Sequence, residues 1–258
     1  MINIGYDLLA AAAEKKISFF KEDKIAYFIS SALAGMFVGL CMITILVMAG
    51  SLDNFAGIKI LQGISFAAAL SLVVFAGAEL FTGNVFVMTA GIAWGKAKLA
   101  DACALCGLCY LGNMVGSITV AALFWGTGYL QGPVLYQSTY AIAAKTNPGM
   151  GELFVRGILC NILVCLAVWC VYRLKSESGK LIMIFWCIYI FVVCGFEHSI
   201  ANMTLFSLGM MAKEDGMAVF SAMAGNLTMT TIGNMIGGVA LSLAYWMIGR
   251  NDIVKSGK

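Results

Sequence analysis

Three ionisable residues, Glu79, Glu197 and His198, sit inside stretches of the chain that are otherwise apolar. A charged group at bilayer depth costs about 2.5–3.5 kcal/mol on insertion scales, so such residues face a protein interior or a wet cavity and mark routes for ions or protons. His198 is the single histidine, and its ordinary pKa of about 6.5 lets small changes of environment decide its charge. A carboxylate at these positions could also cap loose backbone where a helix breaks. That reading suits Glu79 better than Glu197, which has His198 beside it.

The elements that position these groups must be membrane spans. Of 258 residues 61% are hydrophobic and 11% charged, with 2 Pro, and the mean hydropathy is +0.92. A soluble domain carries roughly 25% charged residues, which excludes soluble, disordered, collagen-like and coiled-coil classes. Six apolar stretches are legible at about 25–50, 60–93, 99–125, 152–173, 181–211 and 227–248, each long enough for the roughly 20 residues of one crossing. The second and fifth are long for a single crossing, and each is interrupted near its middle by Glu with Gly and Asn nearby. Irregular backbone at that depth is tolerated only where protein or a water-filled cavity satisfies it. The half-helix after each break would aim its positive end at the cavity, a field that suits anions.

Before the first span, Leu9, Ala13, Ile17 and Phe20 recur every three or four residues, the pattern of an amphipathic interfacial or surface helix. The N-terminus lacks the n-region, h-region and cleavage site of a secretory signal, so the first span is expected to remain in the mature protein. With the N-terminus inside, the inner segments hold Lys15, Lys16, Lys21, Lys24, Lys96, Lys98, Arg173, Lys175, Lys180, Arg250, Lys255 and Lys258. The outer ones hold Lys59, Lys145, Arg156 and Lys213. This bias predicts six crossings of the cytoplasmic (inner) membrane with both termini in the cytoplasm.

The halves resemble each other. Gly77, Glu79 and Asn84 have the spacing G-x-E-x4-N, repeated by Gly195, Glu197 and Asn202, and Gly112-Asn-Met-Val-Gly116 is matched by Gly233-Asn-Met-Ile-Gly237. Two matches at nearly one offset imply a repeated three-span unit, and an odd number of spans per unit forces the second copy to be inverted. Inverted repeats with broken helices at matching positions place a permeation pathway at their interface. The expectation is one all-α transmembrane channel domain over 1–258, with 1–24 an amphipathic cytoplasmic segment, 25–125 the first repeat and 152–248 the inverted second.

Other chemistry finds little support. The nine Cys all lie in apolar stretches, where a free Cys behaves as a small hydrophobe. Cys103, Cys106 and Cys109 have iron–sulfur spacing but position 113 is Asn, so packing is expected, with no metal and no cofactor. The scattered basic residues give no nucleic-acid patch. P-loop, GxSxG and HExxH motifs are missing, so the sequence does not read as an enzyme.

At Phe75-Ala-Gly-Ala-Glu-Leu-Phe-Thr-Gly83, Gly157-Ile-Leu-Cys-Asn-Ile-Leu-Val-Cys-Leu-Ala167 and Gly195-Phe-Glu-His-Ser-Ile-Ala-Asn-Met203 the sequence resembles the formate/nitrite transporter family. Within that family it looks most like the clostridial hydrosulfide channel. The resemblance implies a homopentamer of aquaporin-like protomers, set in membrane lipid, each with its own pore for a small anion such as hydrosulfide, formate or nitrite. It also implies roles for individual positions: Leu80, with Leu70 beside it, at an inner apolar constriction, and Phe66 and Phe191 at an outer one. His198 becomes the central pore histidine, Glu197 its neighbour and Thr82 its hydrogen-bonding partner, while Lys145, Asn161 and Asn234 set the potential and hold the broken helices. The sequence leaves open a proton-coupled symporter, a neutral-solute pore and a membrane redox protein.

Overall fold

The computed structural model describes residues 2–52, 55–212 and 216–256; Lys213 and Lys258, counted above for orientation, lie outside them, as do the side chains of Arg250 and Lys255. Among the described residues every regular element is a helix. They are α1 (Ile2–Glu22), α2 (Lys24–Ser51), α3 (Ile58–Phe66), α4 (Ala68–Phe75), α5 (Phe81–Ala93), α6 (Leu99–Gly126), α7 (Gly132–Thr146), α8 (Met150–Arg173), α9 (Glu177–Val193), α10 (Ser199–Met211) and α11 (Gly216–Ser256). Among the described residues five segments are long and apolar enough to cross a bilayer: α2, α3–α4 taken together, α6, α8 and part of α11. The second crossing is α3–α4 continued by α5 and the fifth is α9 continued by α10, so both expected interruptions are present.

The two breaks have one construction. Gly77 and Gly195 both have positive φ, 74° and 69°, a conformation that suits glycine and ends the preceding half-helix. The next amide folds back onto that half-helix, Ala78 N–H to the Val73 carbonyl at 2.9 Å and Phe196 N–H to the Phe191 carbonyl at 3.0 Å. Leu80 and His198 then occupy the same place, each an extended residue that caps the following half-helix.

The repeated G-N-M-x-G motif explains how the spans pack. Gly116 lets α6 rest directly on α2, since a Cβ there would lie 1.8 Å from the Ala32 carbonyl oxygen, and Gly233 does the same for α11 on α8, 2.3 Å from the Phe154 oxygen. Between the glycines, Asn113 and Asn234 each reach a helix break.

Two features depart from the sequence reading. First, α1 is no free surface helix, because Leu9, Ala13 and Phe20 are buried against the protein, with Ile17 packed beside them. Tyr6 stacks on Trp94 and lies against Trp169, and its hydroxyl donates to the Tyr245 carbonyl, fastening α1 to the ends of α5, α8 and α11. Second, the stretch between the apolar segments 99–125 and 152–173 contains α7, which packs on α2, α10 and α11. Its alternation of small, polar and aromatic residues is too weakly apolar to read as a span. In the order of elements α7 stands before α8 as α1 stands before α2, so the structural repeat begins one helix earlier than the sequence motifs show.

Candidate functional site

Each break is held by an asparagine from the opposing helix. Asn113 accepts the Phe81 N–H at 2.9 Å and donates to the carbonyls of Ser31 (2.7 Å) and Glu79 (2.9 Å). Asn234 accepts the Ser199 N–H at 3.0 Å and donates to the carbonyls of Gly157 (2.8 Å) and Glu197 (2.9 Å). Backbone groups freed by the breaks are thereby paired inside the protein, as a low-dielectric setting demands. Cys109 adds a thiol bond to the Glu79 carbonyl at 3.2 Å, so the innermost cysteine of the run does more than fill space.

The carboxylates do a different job from the backbone capping considered for Glu79. The Glu79 carboxylate binds the Lys16 ammonium at 2.6 Å through both oxygens and accepts from Asn84 Nδ2 at 2.8 Å. The Glu197 carboxylate binds the Lys145 ammonium at 3.1 Å through both oxygens and accepts from Asn202 Nδ2 at 2.6 Å. Asn226 completes the second cluster, donating to the Lys145 carbonyl at 2.7 Å and accepting from Asn202 at 2.9 Å. Lys16 comes from α1 and Lys145 from α7, so the two pre-span helices each deliver one cation to a buried carboxylate.

Lys16 was counted on sequence only as a loop charge. A signal existed: with Leu9, Ala13 and Phe20 it forms a stripe at spacings of four, three and four residues, a lysine on the buried face of a helix. Asn84 and Asn202 were visible in the repeated spacing, though not as the groups that hold the carboxylates. Asn226 left no comparable signal.

Between these clusters lies the histidine. His198 Nδ1 accepts the Ala201 N–H at 3.2 Å, and Nε2 lies 3.1 Å from Thr82 Oγ1. Since Nδ1 accepts, the proton of the neutral ring is on Nε2, directed at Thr82. The ring is thus fixed in tautomer and orientation by α10 on one side and α5 on the other. Asn161 donates to the Thr82 carbonyl at 3.2 Å and to the Asn234 carbonyl at 2.6 Å, tying the start of α5 to α11.

Two cavities adjoin this part of the chain: His198 lines the first, and Leu80 and Gly83, which flank Thr82 in the chain, line the second. One of about 300 Å³ is lined by Phe66, Phe191, Lys145, Glu197 and His198 among others. The other, of about 270 Å³, is lined by Leu70, Leu80, Gly83, Lys16 and Glu79 among others. Phe66 and Phe191 meet edge to face with centroids 5.8 Å apart, and Phe191 lies nearly parallel to the His198 ring at 6.0 Å. Phe66, Phe191, Leu70 and Leu80 are all buried. The structure therefore gathers His198, Thr82 and Glu197 with Lys145, Phe66 and Phe191, and sets Leu70 and Leu80 in the second cavity. Asn161 and Asn234 line neither cavity; they support the walls.

One cavity thus combines His198 with Phe66, Phe191 and the Lys145–Glu197 pair, and the other combines Leu70 and Leu80 with the Lys16–Glu79 pair. The family model for formate/nitrite transporters matches residues 5–247. Similar curated proteins include the nitrite transporter NirC of Escherichia coli, 38% identical over 92% of this chain and 88% of that protein. The formate channel FocA of Escherichia coli is 31% identical, over 94% of this chain and 95% of that one. Among solved structures, an FNT family ion channel superposes with a TM-score of 0.88 at 35% identity, covering 95% of this chain and 98% of the other. A pentameric formate channel with formate bound superposes with a TM-score of 0.76 at 28% identity, covering 86% and 96%. These relatives are transporters and channels, and the all-helical multi-pass chain described here belongs to the formate/nitrite transporter family.

Proposed function

We propose that the protein is a passive channel for small monovalent anions, with hydrosulfide its main substrate, acting as a homopentamer in the cytoplasmic membrane with both termini in the cytoplasm. The observation that carries the reading is the Thr82–His198 hydrogen bond, with His198 lining one cavity and Leu80 and Gly83, which flank Thr82 in the chain, lining the other. An anion drawn toward Lys145 or Lys16 sheds water at an apolar ring, where a hydrated cation has nothing to replace its shell. It then meets the Nε2–H of His198 or the hydroxyl of Thr82 and leaves through the other ring. Because Nδ1 is engaged by Ala201 and the Nε2 proton by Thr82, the ring offers a hydrogen bond without having a spare proton to give. That favours passage of the anion as such over proton-coupled symport. The solved pentameric relative supports the assembly, and the lysine and arginine bias supports the orientation.

Hydrosulfide fits the centre because its charge sits on one atom, which one donor can satisfy. Formate and nitrite spread theirs over two oxygens, and the second would face an apolar ring without a partner. Nitrite is the second reading, favoured by the 38% identical relative named for it. Uptake of hydrosulfide, nitrite and formate into proteoliposomes separates these readings. All three should exceed empty liposomes, with hydrosulfide fastest. Nitrite outrunning hydrosulfide would give the second reading precedence. Glycerol flux with no anion flux would replace both with a neutral-solute pore.

A further inference from the structure

The two ends of the route differ in charge in a way that the pseudo-symmetry of the fold does not require. The cavity at the Lys16 end is lined by one cation, Lys16, and one carboxylate, Glu79, paired at 2.6 Å. The cavity at the Lys145 end is lined by three cations, Lys59, Lys145 and Arg156, and a single carboxylate, Glu197. Lys59, near the start of α3, forms no ion pair among the described residues. Arg156 touches Glu152 at 3.9 Å, but both side chains are well exposed at 39% and 63%, and Glu152 is not one of the lining residues named for the cavity. Such an exposed pair neutralises little of the field.

The Lys145 end also has a wider antechamber. An open cleft of about 760 Å³, bordered by Tyr136 and Tyr140 of α7, shares Leu46, Lys59, Gln62 and Ala141 with the cavity that contains His198. Lys59 therefore stands where the outer cleft narrows into the route, with Arg156 and Lys145 beyond it. Among the described residues lining either space there is no second carboxylate. A concave, low-dielectric wall carrying charge of one sign focuses the field and raises the local concentration of counter-ions.

We propose that the Lys145-end vestibule is a capture site for small anions, formed by Lys59 and Arg156 ahead of the Lys145–Glu197 pair, and that the Lys16 end has no equivalent. This rests on the channel reading above and adds to it a direction-dependent saturation. Net flux at equilibrium is unaffected, as it must be in a passive pore. What changes is the anion concentration at which flux half-saturates, lower when the anion arrives from the Lys145 side. Two extra cations acting on the entering ion across a partly screened vestibule correspond to a difference of about fivefold.

The test uses right-side-out and inside-out membrane vesicles carrying the full chain, with nitrite as the probe at fixed pH. Initial rates are measured against nitrite concentration at about 10 mM and about 500 mM ionic strength, where the screening length shrinks from roughly 30 Å to under 10 Å. At low salt the two faces should differ in half-saturation by about fivefold, with the maximal rate lower in the same proportion from the favoured face because a passive pore has one permeability at low anion concentration, and both differences should vanish at high salt. K59Q/R156Q should remove them at low salt too, by raising the half-saturation of the favoured face. K59E should raise that value further. Which vesicle type is favoured reports which end faces outward. Equal half-saturation from both faces, or an asymmetry unchanged in K59Q/R156Q, would overturn the capture site while leaving the channel intact. Absence of nitrite flux from both faces would instead bring down the channel reading and the capture site with it.

Discussion

His198→Phe is expected to lower anion flux about thirtyfold, because an ion in the middle of the route loses a donor worth roughly 2 kcal/mol to a charged partner. The same change removes the Nδ1 acceptor that caps α10 through Ala201, so the variant should also lose about 1 kcal/mol of stability. His198→Asn separates the two effects. Asparagine is a good N-cap and should keep the helix end satisfied, but its shorter side chain falls short of Thr82. Both variants should show slowed hydrosulfide and nitrite uptake in proteoliposomes, whereas only the phenylalanine variant should melt earlier in detergent. Unchanged flux in both would remove His198 from the pathway.

Lys145→Met should be the most destabilising single change at either vestibule. It leaves the Glu197 carboxylate, 2% exposed, with Asn202 and Asn226 but no counter-ion, a situation that costs about 3–5 kcal/mol when one partner of a buried pair is removed. Lys145→Met combined with Glu197→Gln should recover most of that loss, because the glutamine is neutral and can still accept from Asn202. Thermal unfolding of the four proteins in one detergent closes the cycle. Strict additivity of the two single changes would show that the pair is not coupled in the folded protein. Lys16→Met should behave similarly but more mildly, since Glu79 is more exposed than Glu197.

Much of the scaffold was legible because membrane burial restricts the vocabulary. A Gly-x-Glu inside an apolar run has few explanations, and both such sites proved to be breaks with glycine in a left-handed conformation. The G-N-M-x-G pair was legible as a repeat, although only the structure shows that its glycines set helix contact while its asparagines hold the breaks. The helices before each repeat were not read as part of it. α1 and α7 share position and one lysine paired to a buried carboxylate, but no sequence pattern marks them as equivalent. Lys16 and Lys145 also lie at an offset different from that of the glutamates, mainly because the stretch from the start of α2 to Glu79 is longer than that from the start of α8 to Glu197. A search for one fixed repeat spacing therefore passes over them. Subunit number left no trace in the spacing of the chain, for no local physical constraint counts copies around an axis.

The passive character of conduction is the central claim, and the reversal potential of purified protein in a planar bilayer tests it most directly. With a tenfold nitrite or hydrosulfide gradient, pH equal on both sides and an impermeant cation, an anion channel should reverse near the potential of that anion, about 59 mV from zero at a tenfold ratio. Anion flux in the same preparation with no current at any voltage would show that the charge crosses together with a proton. The account of His198 as a hydrogen-bond donor with no proton to spare would then be wrong.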